Sequence, residues 1–263
     1  MQRAPTLRLL LALAAIFLLA AAAFAASGLN RTAFLAINDA GARWLPDFLP
    51  SCLTLLGHGL AAVMLLALVL PRAPQVLAAG LNAAPLAGIL SAAGKRLAAS
   101  ARPGAVLDPA HIHVQGQLLS GHNAFPSGHS ITIFLVATVL ALGLESLRRR
   151  ALALFAVLAL AVLVGLSRIL VGAHWPSDAL GGAALGICAG LAGDALARRW
   201  TYWRRPGASV AYALVVLGCA AALAVADTGY PLARPLQWAL AVLGAAAALY
   251  TLALQWRAAR SPA

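Results

Sequence analysis

Residues 151–197, ALALFAVLALAVLVGLSRILVGAHWPSDALGGAALGICAGLAGDALA, decide the fold of this chain. They contain two apolar runs, 151–170 and 176–197, each long enough at about 20 residues for a helix to cross a hydrocarbon core of about 30 Å. Arg168 and Asp178 flank the break between the two runs. Because charged side chains are costly in so apolar a segment, both residues indicate a functional site.

The composition of the whole chain indicates an integral membrane protein. Hydrophobic residues make up 62% of the 263 residues and charged residues only 10%, whereas a soluble domain carries roughly 25% charged residues. About eight apolar segments are long enough to span a bilayer, at residues 7–26, 52–70, 75–97, 128–146, 151–170, 176–197, 208–226 and 236–256. Because a bilayer core offers no water to the backbone, each should be a helix. The sequence therefore predicts an all-α, polytopic transmembrane helical bundle.

The placement of the basic residues predicts membrane orientation rather than nucleic-acid binding. Five basic groups lie between or beside the apolar runs, all on one side of the membrane if the spans alternate. The groups are Arg3 and Arg8; Arg72; Arg148, Arg149 and Arg150; Arg198, Arg199, Arg204 and Arg205; and Arg257 and Arg260. That side, with both termini, is predicted to be cytoplasmic. The net charge is +12, but no nucleic-acid-binding motif is visible, so no such partner is expected.

The N-terminal run has two interpretations. Its end, Phe24-Ala25-Ala26-Ser27, resembles a signal-peptidase site. The run is longer than the apolar part of a signal peptide, which has about 7–15 residues, so a retained first span is favoured. The following loop, 27–50, is expected to lie along the membrane interface as a short amphipathic piece.

Two patterns in the sixth span predict structure rather than chemistry. Gly182, Gly186 and Gly190 repeat at four-residue spacing, which favours close packing of helices. Asp194 and Arg198 stand four residues apart and are expected to pair on one helix face.

Lys95 and Arg102 form a cationic pair at the outer end of the third span. Seven residues apart, they would point the same way if both lay on a helix, which Pro103 then makes unlikely to continue. The planar fork of an arginine and the point charge of a lysine suit an anion with several oxygens. The alternative is a basic cluster that contacts lipid headgroups.

Residues 126–129, Pro-Ser-Gly-His, open the fourth span. A proline and a serine at a helix start leave backbone N–H groups free, and the helix dipole favours an anion there. Ser127 can add a hydroxyl donor, Gly128 lets a ligand approach closely, and His129 titrates in a range useful for proton transfer. The alternative is a capped helix start with a solvated histidine.

Arg168, His174 and Asp178 form the third motif, with the spacing R-x5-H-x3-D. On a helix, Asp178 would lie one turn beyond His174 and could accept a hydrogen bond from one ring nitrogen. The other nitrogen would then hold a reactive lone pair. The alternative is a structural His–Asp pair. In the span count above, all three motifs fall on the outer face.

Taken together, K-x6-R-P, PSGH and S-R-x5-H-x3-D resemble the type-2 phosphatidic acid phosphatase family, which shares its site with vanadium haloperoxidases and bacterial acid phosphatases. The resemblance covers roughly residues 52–197. It implies that His174 attacks phosphorus and forms a phosphohistidine, that Asp178 orients it, and that His129 protonates the leaving oxygen and helps to activate water. It also implies a set of phosphate-binding residues without a metal or cofactor, namely Lys95, Arg102, Ser127, Gly128 and Arg168.

The resemblance leads us to expect a membrane lipid phosphatase, with its site on the periplasmic face of a bacterial inner membrane. The leading candidate substrate is undecaprenyl pyrophosphate, and phosphatidylglycerol phosphate, phosphatidate and the lipid A phosphates are rivals. Transfer of the phosphoryl group to a second lipid would use the same intermediate. A vanadate haloperoxidase is disfavoured, because that chemistry has no need of eight apolar spans. The sequence leaves the oligomeric state open.

Residues 1–263 are interpreted as one integral membrane domain, with a six-span phosphatase core and an appended hairpin at 208–256 without recognisable chemistry. His122 is a possible substrate contact. His111 and His113 form an H-x-H pair for which no acidic partner is expected, so a metal site there is disfavoured. His58, between two glycines, is interpreted as a hydrogen-bonded core histidine.

Overall fold

The computed structural model describes residues 3–143, 150–205 and 207–260, and no β-strand occurs in those ranges. The helices are α1 (Arg3–Ser27), α2 (Leu29–Trp44), α3 (Phe48–Leu55), α4 (Gly59–Ala67), α5 (Pro74–Ala98), α6 (Pro103–Val106), α7 (Gly128–Gly143), α8 (Arg150–Leu170), α9 (Pro176–Arg199), α10 (Ala208–Val225) and α11 (Arg234–Arg260). The predicted all-α, multi-pass membrane fold is confirmed.

Within the described residues, the structure departs from the predicted spans at the second one. Among the residues that the structure describes, six helical stretches are long and apolar enough to cross a membrane: Arg3–Ser27, Pro74–Val106, Ala151–Leu170, Pro176–Arg199, Ala208–Val225 and Pro231–Arg260. The predicted second span, 52–70, is instead the pair α3 and α4, bent by 73° at a short break. The fourth is α7, with 16 described residues. Residues 144–146 of that predicted span, and Arg148 and Arg149, lie outside the described residues.

The bend between α3 and α4 is located at the Gly-His-Gly sequence of residues 57–59. His58 adopts an extended backbone, with ψ near 138°, so the helix cannot continue through it. A side chain at Gly57 would lie 2.8 Å from the Cβ of His129, so the glycine allows α7 to approach the break. The break therefore brings α3 and α4 against the start of α7.

Helix α9 packs against α1, α5 and α7. Its glycine row faces α7, as predicted: a Cβ at Gly182 would lie 2.8 Å from that of Ser130, and one at Gly190 would lie 2.7 Å from that of Thr138. Such close approach holds the first turns of α7 and α9 side by side. The predicted Asp194–Arg198 pair is also present, at 3.3 Å.

Helix α2 occupies most of the predicted interfacial loop and is amphipathic, with Phe34, Asn38 and Gly41 buried. The Asn38 side-chain amide donates to the carbonyl oxygens of His113, Ile169 and Leu170 at 2.9–3.1 Å, and its oxygen accepts from the His113 backbone N–H at 2.8 Å. Asn38 thereby ties α2 to the end of α8 and to the loop before α7.

Helices α10 and α11 pack on each other and on α4. Buried residues of the pair, among them Tyr212, Val216 and Leu240, share one hydrophobic cluster with Met64 of α4 and Leu77 of α5. The predicted C-terminal hairpin is therefore in direct contact with the helices that surround the three motifs.

Candidate active site

The turn between α8 and α9 positions the third motif. Gly172, at φ +77°, allows the chain to turn after α8, and a side chain there would lie 2.7 Å from the carbonyl oxygen of His113. Helix α9 then starts at Pro176. The N–H that proline lacks would have no hydrogen-bond partner within the helix at this first position, so the proline does not destabilise it. The carboxylate of Asp178 accepts from the backbone N–H of Trp175 at 2.9 Å, which fixes it at the start of the helix.

His174 and Asp178 are both buried, with 3% and 1% of their surface exposed. The imidazole Nδ1 lies 3.4 Å from Asp178 Oδ2, and Nε2 lies 3.3 Å from Arg102 Nη1. An arginine can only donate, so Nε2 is the acceptor and the ring proton belongs on Nδ1, facing the carboxylate. The predicted His–Asp contact is present, and the lone pair of Nε2 faces the cationic side of the site.

Burial lowers the pKa of His174 well below its ordinary value, and the charges of Arg168, Arg102 and Lys95 lower it further. The imidazole is therefore neutral at neutral pH, the form in which Nε2 can act as a nucleophile. His129 also contributes to this lowering. The structure thus gathers residues of all three motifs around one imidazole.

Arg102 is not placed as the sequence predicted. We expected Lys95 and Arg102 to share a helix face, but α5 ends at Ala98, and Ala99 takes the left-handed conformation at φ 41°. Arg102 has an extended backbone just before Pro103 and α6. Its Nε donates to Asn123 Oδ1 at 2.7 Å and its Nη1 to the Ala173 carbonyl at 3.0 Å, so loops, not a helix, aim its guanidinium.

The PSGH motif joins the same cluster through the backbone. The N–H of Ser127 donates to the carbonyl oxygen of Asp178 at 3.0 Å, which binds the start of α7 to the start of α9. The Ser127 hydroxyl accepts from the Ser130 N–H at 3.4 Å, as a helix cap does. Gly128 leaves room at the backbone, since the nearest atom to an added Cβ is the Ser91 hydroxyl at 3.8 Å.

Arg168 is buried, with 2% of its surface exposed. Its Nη1 donates to the Tyr230 hydroxyl at 2.7 Å and to Thr54 Oγ1. Its Nε finds no hydrogen-bond partner in the part of the chain that the structure describes. A buried donor without an acceptor is costly, so this edge of the guanidinium suits an added anion.

A cavity of about 390 Å³ opens beside His129, between α4, α5 and α7. His58, His129 and Ser91 contribute polar groups to it. The remaining lining is largely apolar and small, including Ala62, Leu66, Gly80, Ala84, Gly88 and Leu135. Ala84 and Gly88 are exposed on the surface of α5, so the cavity has an apolar opening on the side of the bundle. It could receive a hydrocarbon chain.

A model of the PAP2 superfamily matches residues 76–206, which include all the predicted site residues. The chain belongs to the PAP2 superfamily. The predicted resemblance is thus confirmed. Lipid A 1-phosphatases of Rhizobium johnstonii and Rhizobium etli are each 32% identical over 156 residues, which cover 57% of this chain. The aligned region spans about half the length of these curated relatives, 51% and 54% respectively.

Two crystal structures of PAP2 relatives resemble the fold. Aquifex aeolicus LpxE is 27% identical with a TM-score of 0.53, over 63% of this chain and 94% of that protein. The transmembrane PAP2-type phosphatidylglycerolphosphate phosphatase from Bacillus subtilis is 23% identical with a TM-score of 0.52, over 74% and 98%. The second similarity supports the fold alone.

The histidines outside the PAP2 motifs differ in their surroundings. His122 is exposed in the loop before Pro126. His58 faces His129, with ring centroids 6.5 Å apart, and its buried Nδ1 has no hydrogen-bond partner among the residues described. The interpretation of His58 as a hydrogen-bonded core histidine is therefore wrong, because the helix break turns it toward the cavity.

The H-x-H pair has acidic partners, contrary to expectation. His111 Nδ1 lies 3.3 Å from Asp108, and His113 Nε2 lies 2.9 Å from Asp47, which is distant in sequence. Gln115 also donates to Asp47, at 3.1 Å. The two contacts with Asp47 anchor the loop before α7. Within the described ranges, no three His, Cys, Asp or Glu side chains group closely enough to hold a metal ion.

Three residues that contact the site were not predicted. Asn123 supports Arg102, while Thr54 and Tyr230 support Arg168. Asn123 lies only three residues before Pro126, so its position next to a motif was an available signal. Thr54 and Tyr230 lie outside the matched PAP2 region and reach Arg168 only through tertiary packing.

Proposed function

We propose that this PAP2 chain is a membrane phosphatase that hydrolyses a lipid phosphate or pyrophosphate through a phosphohistidine at His174. One observation carries the proposal: the neutral imidazole has Asp178 at Nδ1 and a guanidinium 3.3 Å from Nε2. A phosphate bound by Arg102 would lie next to the lone pair of His174 Nε2. The lipid A 1-phosphatases among the relatives support the same class of reaction.

The proposed first step is attack of His174 Nε2 on phosphorus. The N–P bond forms as the bond to the leaving oxygen breaks, and His129 gives that oxygen its proton. Asp178 stabilises the imidazolium character that develops on His174. The oxygens of the phosphoryl group are held by Lys95, Arg102, Arg168 and the backbone at Ser127 and Gly128.

In the second step, His129, now neutral, takes a proton from water as the water oxygen attacks phosphorus. The N–P bond breaks, inorganic phosphate leaves, and His174 returns to its starting form. Three cations next to the reacting group, Lys95, Arg102 and Arg168, can stabilise the transition-state charge as a divalent ion does in metal-dependent enzymes of phosphoryl transfer. We therefore propose metal-independent turnover, which activity in EDTA would support and a strict requirement for added magnesium would contradict.

For the substrate, we propose a lipid whose chain occupies the cavity beside His129. Its apolar lining and its opening on α5 suit a hydrocarbon chain that enters from the bilayer. Among lipids, the two curated relatives favour lipid A 1-phosphate over undecaprenyl pyrophosphate, our leading candidate from the sequence. Water is the proposed acceptor, and a phosphorylated second lipid among the products would instead indicate a phosphotransferase.

We further propose that the site faces the periplasm and that both termini are cytoplasmic. Asp178 lies at the first turn of α9, whereas Arg198 and Arg199 lie at its last turn. Arg3, at the start of α1, pairs with Asp194 near that same end of α9. The positive-inside rule therefore supports a cytoplasmic position for this end and a periplasmic one for the opposite end.

The deciding experiment measures phosphate release by the purified protein from a panel of lipids in detergent. The panel includes lipid A 1-phosphate, undecaprenyl pyrophosphate, phosphatidylglycerol phosphate and phosphatidate. His174→Ala should abolish release, and His111→Ala, which changes an exposed histidine, should retain it. Full activity in His174→Ala would refute the mechanism. Orthovanadate should inhibit release, whereas vanadate-dependent halide oxidation would support the haloperoxidase alternative.

A further inference from the structure

The loop between α10 and α11 reaches the motif arginine at the end of α8. Tyr230, in this loop, accepts a hydrogen bond from Arg168 Nη1 at 2.7 Å. The guanidinium carbon also lies 5.6 Å from the centroid of the tyrosine ring, within the range of a cation–π contact. Tyr230 lies beyond residues 76–206, so this contact is built from outside the region that matches the family.

The guanidinium of Arg168 is held at one end. Thr54 of α3 accepts from the same Nη1 as Tyr230 does, so two hydroxyls from separate segments fix that nitrogen. Nε is buried and unpartnered in the described chain. Because a guanidinium is rigid and planar, fixing Nη1 also determines the direction in which Nε points.

Tyr230 is itself held firmly. The buried amide of Gln237 donates to the carbonyl oxygens of Leu223 and Ala226 at 2.6 and 2.8 Å, which closes the end of α10 onto α11. On the other side, a side chain at Gly116 would lie 3.2 Å from Tyr230 Cε1. The loop is therefore packed between the hairpin and the segment that precedes α7.

We propose that Tyr230 is a positioning residue that holds Arg168 for binding of a tetrahedral anion, so that the C-terminal hairpin completes the phosphate site. The inference rests on the proposed function, in which Arg168 binds a phosphoryl oxygen. Without the phenolic hydroxyl, Thr54 alone would hold Nη1 and the guanidinium would sample more orientations. Tyr230 acts through Arg168 and takes no part in bond making.

The test is Tyr230→Phe in the full-length protein, which removes the acceptor and keeps the ring. The matched control is Tyr250→Phe on α11, since Tyr250 is 51% exposed. We expect orthovanadate to bind about tenfold more weakly to Tyr230→Phe, with kcat/KM reduced by about the same factor, because a hydrogen bond to a charged group is lost. The control should match the wild type in both measurements.

A double-mutant cycle separates positioning from a merely structural role. In an Arg168→Gln background, Tyr230→Phe should have no further effect on orthovanadate binding, because the group that it positions is absent. An equal loss in both backgrounds, or unchanged binding in the single variant, overturns the inference. If Tyr230→Phe fails to fold, Thr54→Val removes the other acceptor and should weaken binding in the same direction. Unchanged binding in Thr54→Val then overturns it.

The outcome also distinguishes this inference from the proposed function. A wild-type protein that binds orthovanadate with the expected dependence on Tyr230, but releases phosphate from no lipid, would refute the proposed function and support the anion site described here. Phosphate release that is insensitive to Tyr230→Phe would support the proposed function and overturn the inference. A wild-type protein that does not bind orthovanadate would overturn it as well.

Discussion

The polar end of the site and the cavity beside it are built on opposite principles. At the polar end, Arg102, His174 and Asp178 are buried and fixed by several contacts each. In the cavity between α4, α5 and α7, small residues such as Ala84 and Gly88 leave space. The two regions meet at His129. The polar end depends on the charged and polar groups of its side chains, whereas the cavity depends on side chains small enough to leave space.

This difference predicts two classes of variant. Changes at the polar end should slow every substrate by the same factor, because they act on the phosphoryl group that all substrates share. Changes in the cavity should discriminate by chain length. Each variant is therefore assayed with a long-chain lipid phosphate and with para-nitrophenyl phosphate, which has no chain.

The largest effect is expected from Asp178→Asn. An amide can present its N–H to His174 Nδ1 and so favour the wrong tautomer, in which Nε2 carries the proton. By analogy with the buried carboxylate of a Ser-His-Asp triad, kcat should fall about a thousandfold or more, with little change in KM. The same factor is expected for both substrates, and unchanged turnover would remove Asp178 from the mechanism.

The next largest effect is expected from Arg102→Lys. The lysine keeps the charge but loses the planar fork, which here spans Asn123 and the Ala173 carbonyl. We expect kcat/KM to fall about 100-fold for both substrates, the scale of losing one oriented transition-state donor. Arg96→Lys, on the exposed side of α5, is the control. A loss confined to the long-chain substrate would place Arg102 in lipid recognition instead.

Some residues of the site could be predicted from the sequence, and others could not. Arg168, His174 and Asp178 could be predicted as candidates because their residue types and spacing resemble a known family motif, and the structure places His174 next to Asp178. Tyr230 could not, because its contact with Arg168 depends on how α10 and α11 pack. The end of α5 lies within one residue of the predicted span 75–97, but the position of Arg102 was not predicted, because an alanine, Ala99, adopts the left-handed conformation that is usually signalled by glycine.

The fold, like the site, could be predicted from the sequence only in part. The all-α membrane class follows from long apolar runs, since the period and length of such runs leave few alternatives. The bend between α3 and α4 was not predicted, although Gly57 and Gly59 around His58 are a local signal for a break. The cavity has no sequence signal at all, because a row of small residues such as Gly80, Ala84 and Gly88 serves equally well for close helix packing.

Gly57→Ala tests the point at which the two regions meet. The added methyl would lie 2.8 Å from the Cβ of His129, so the histidine must shift. Because a displacement of about 1 Å can cost up to 100-fold in rate, we expect kcat to fall roughly 30-fold for both substrates. Gly59→Ala is the matched control, since nothing lies within 4 Å of an added Cβ there. Equal activity of the two variants would show that α7 tolerates the displacement.

Gly88→Leu should have the smallest and most selective effect. No atom lies within 4 Å of a Cβ added at Gly88, so the first carbon of a new side chain meets no neighbour, and Gly88 lines the cavity. Cleavage of the long-chain lipid should fall about tenfold, the cost of a few displaced methylene contacts, while para-nitrophenyl phosphate is cleaved at the wild-type rate. Gly218→Leu on α10, where an added Cβ also meets open space, should change neither rate.

Loss of both activities in Gly88→Leu would mean that the substitution disturbs His129 through α7. Retention of both would mean that the hydrocarbon chain lies elsewhere. Only a selective loss supports the separate roles proposed for the two regions. In that proposal, the buried polar groups determine the reaction, and the space between α4, α5 and α7 determines which lipids can bind with their phosphate at the polar end.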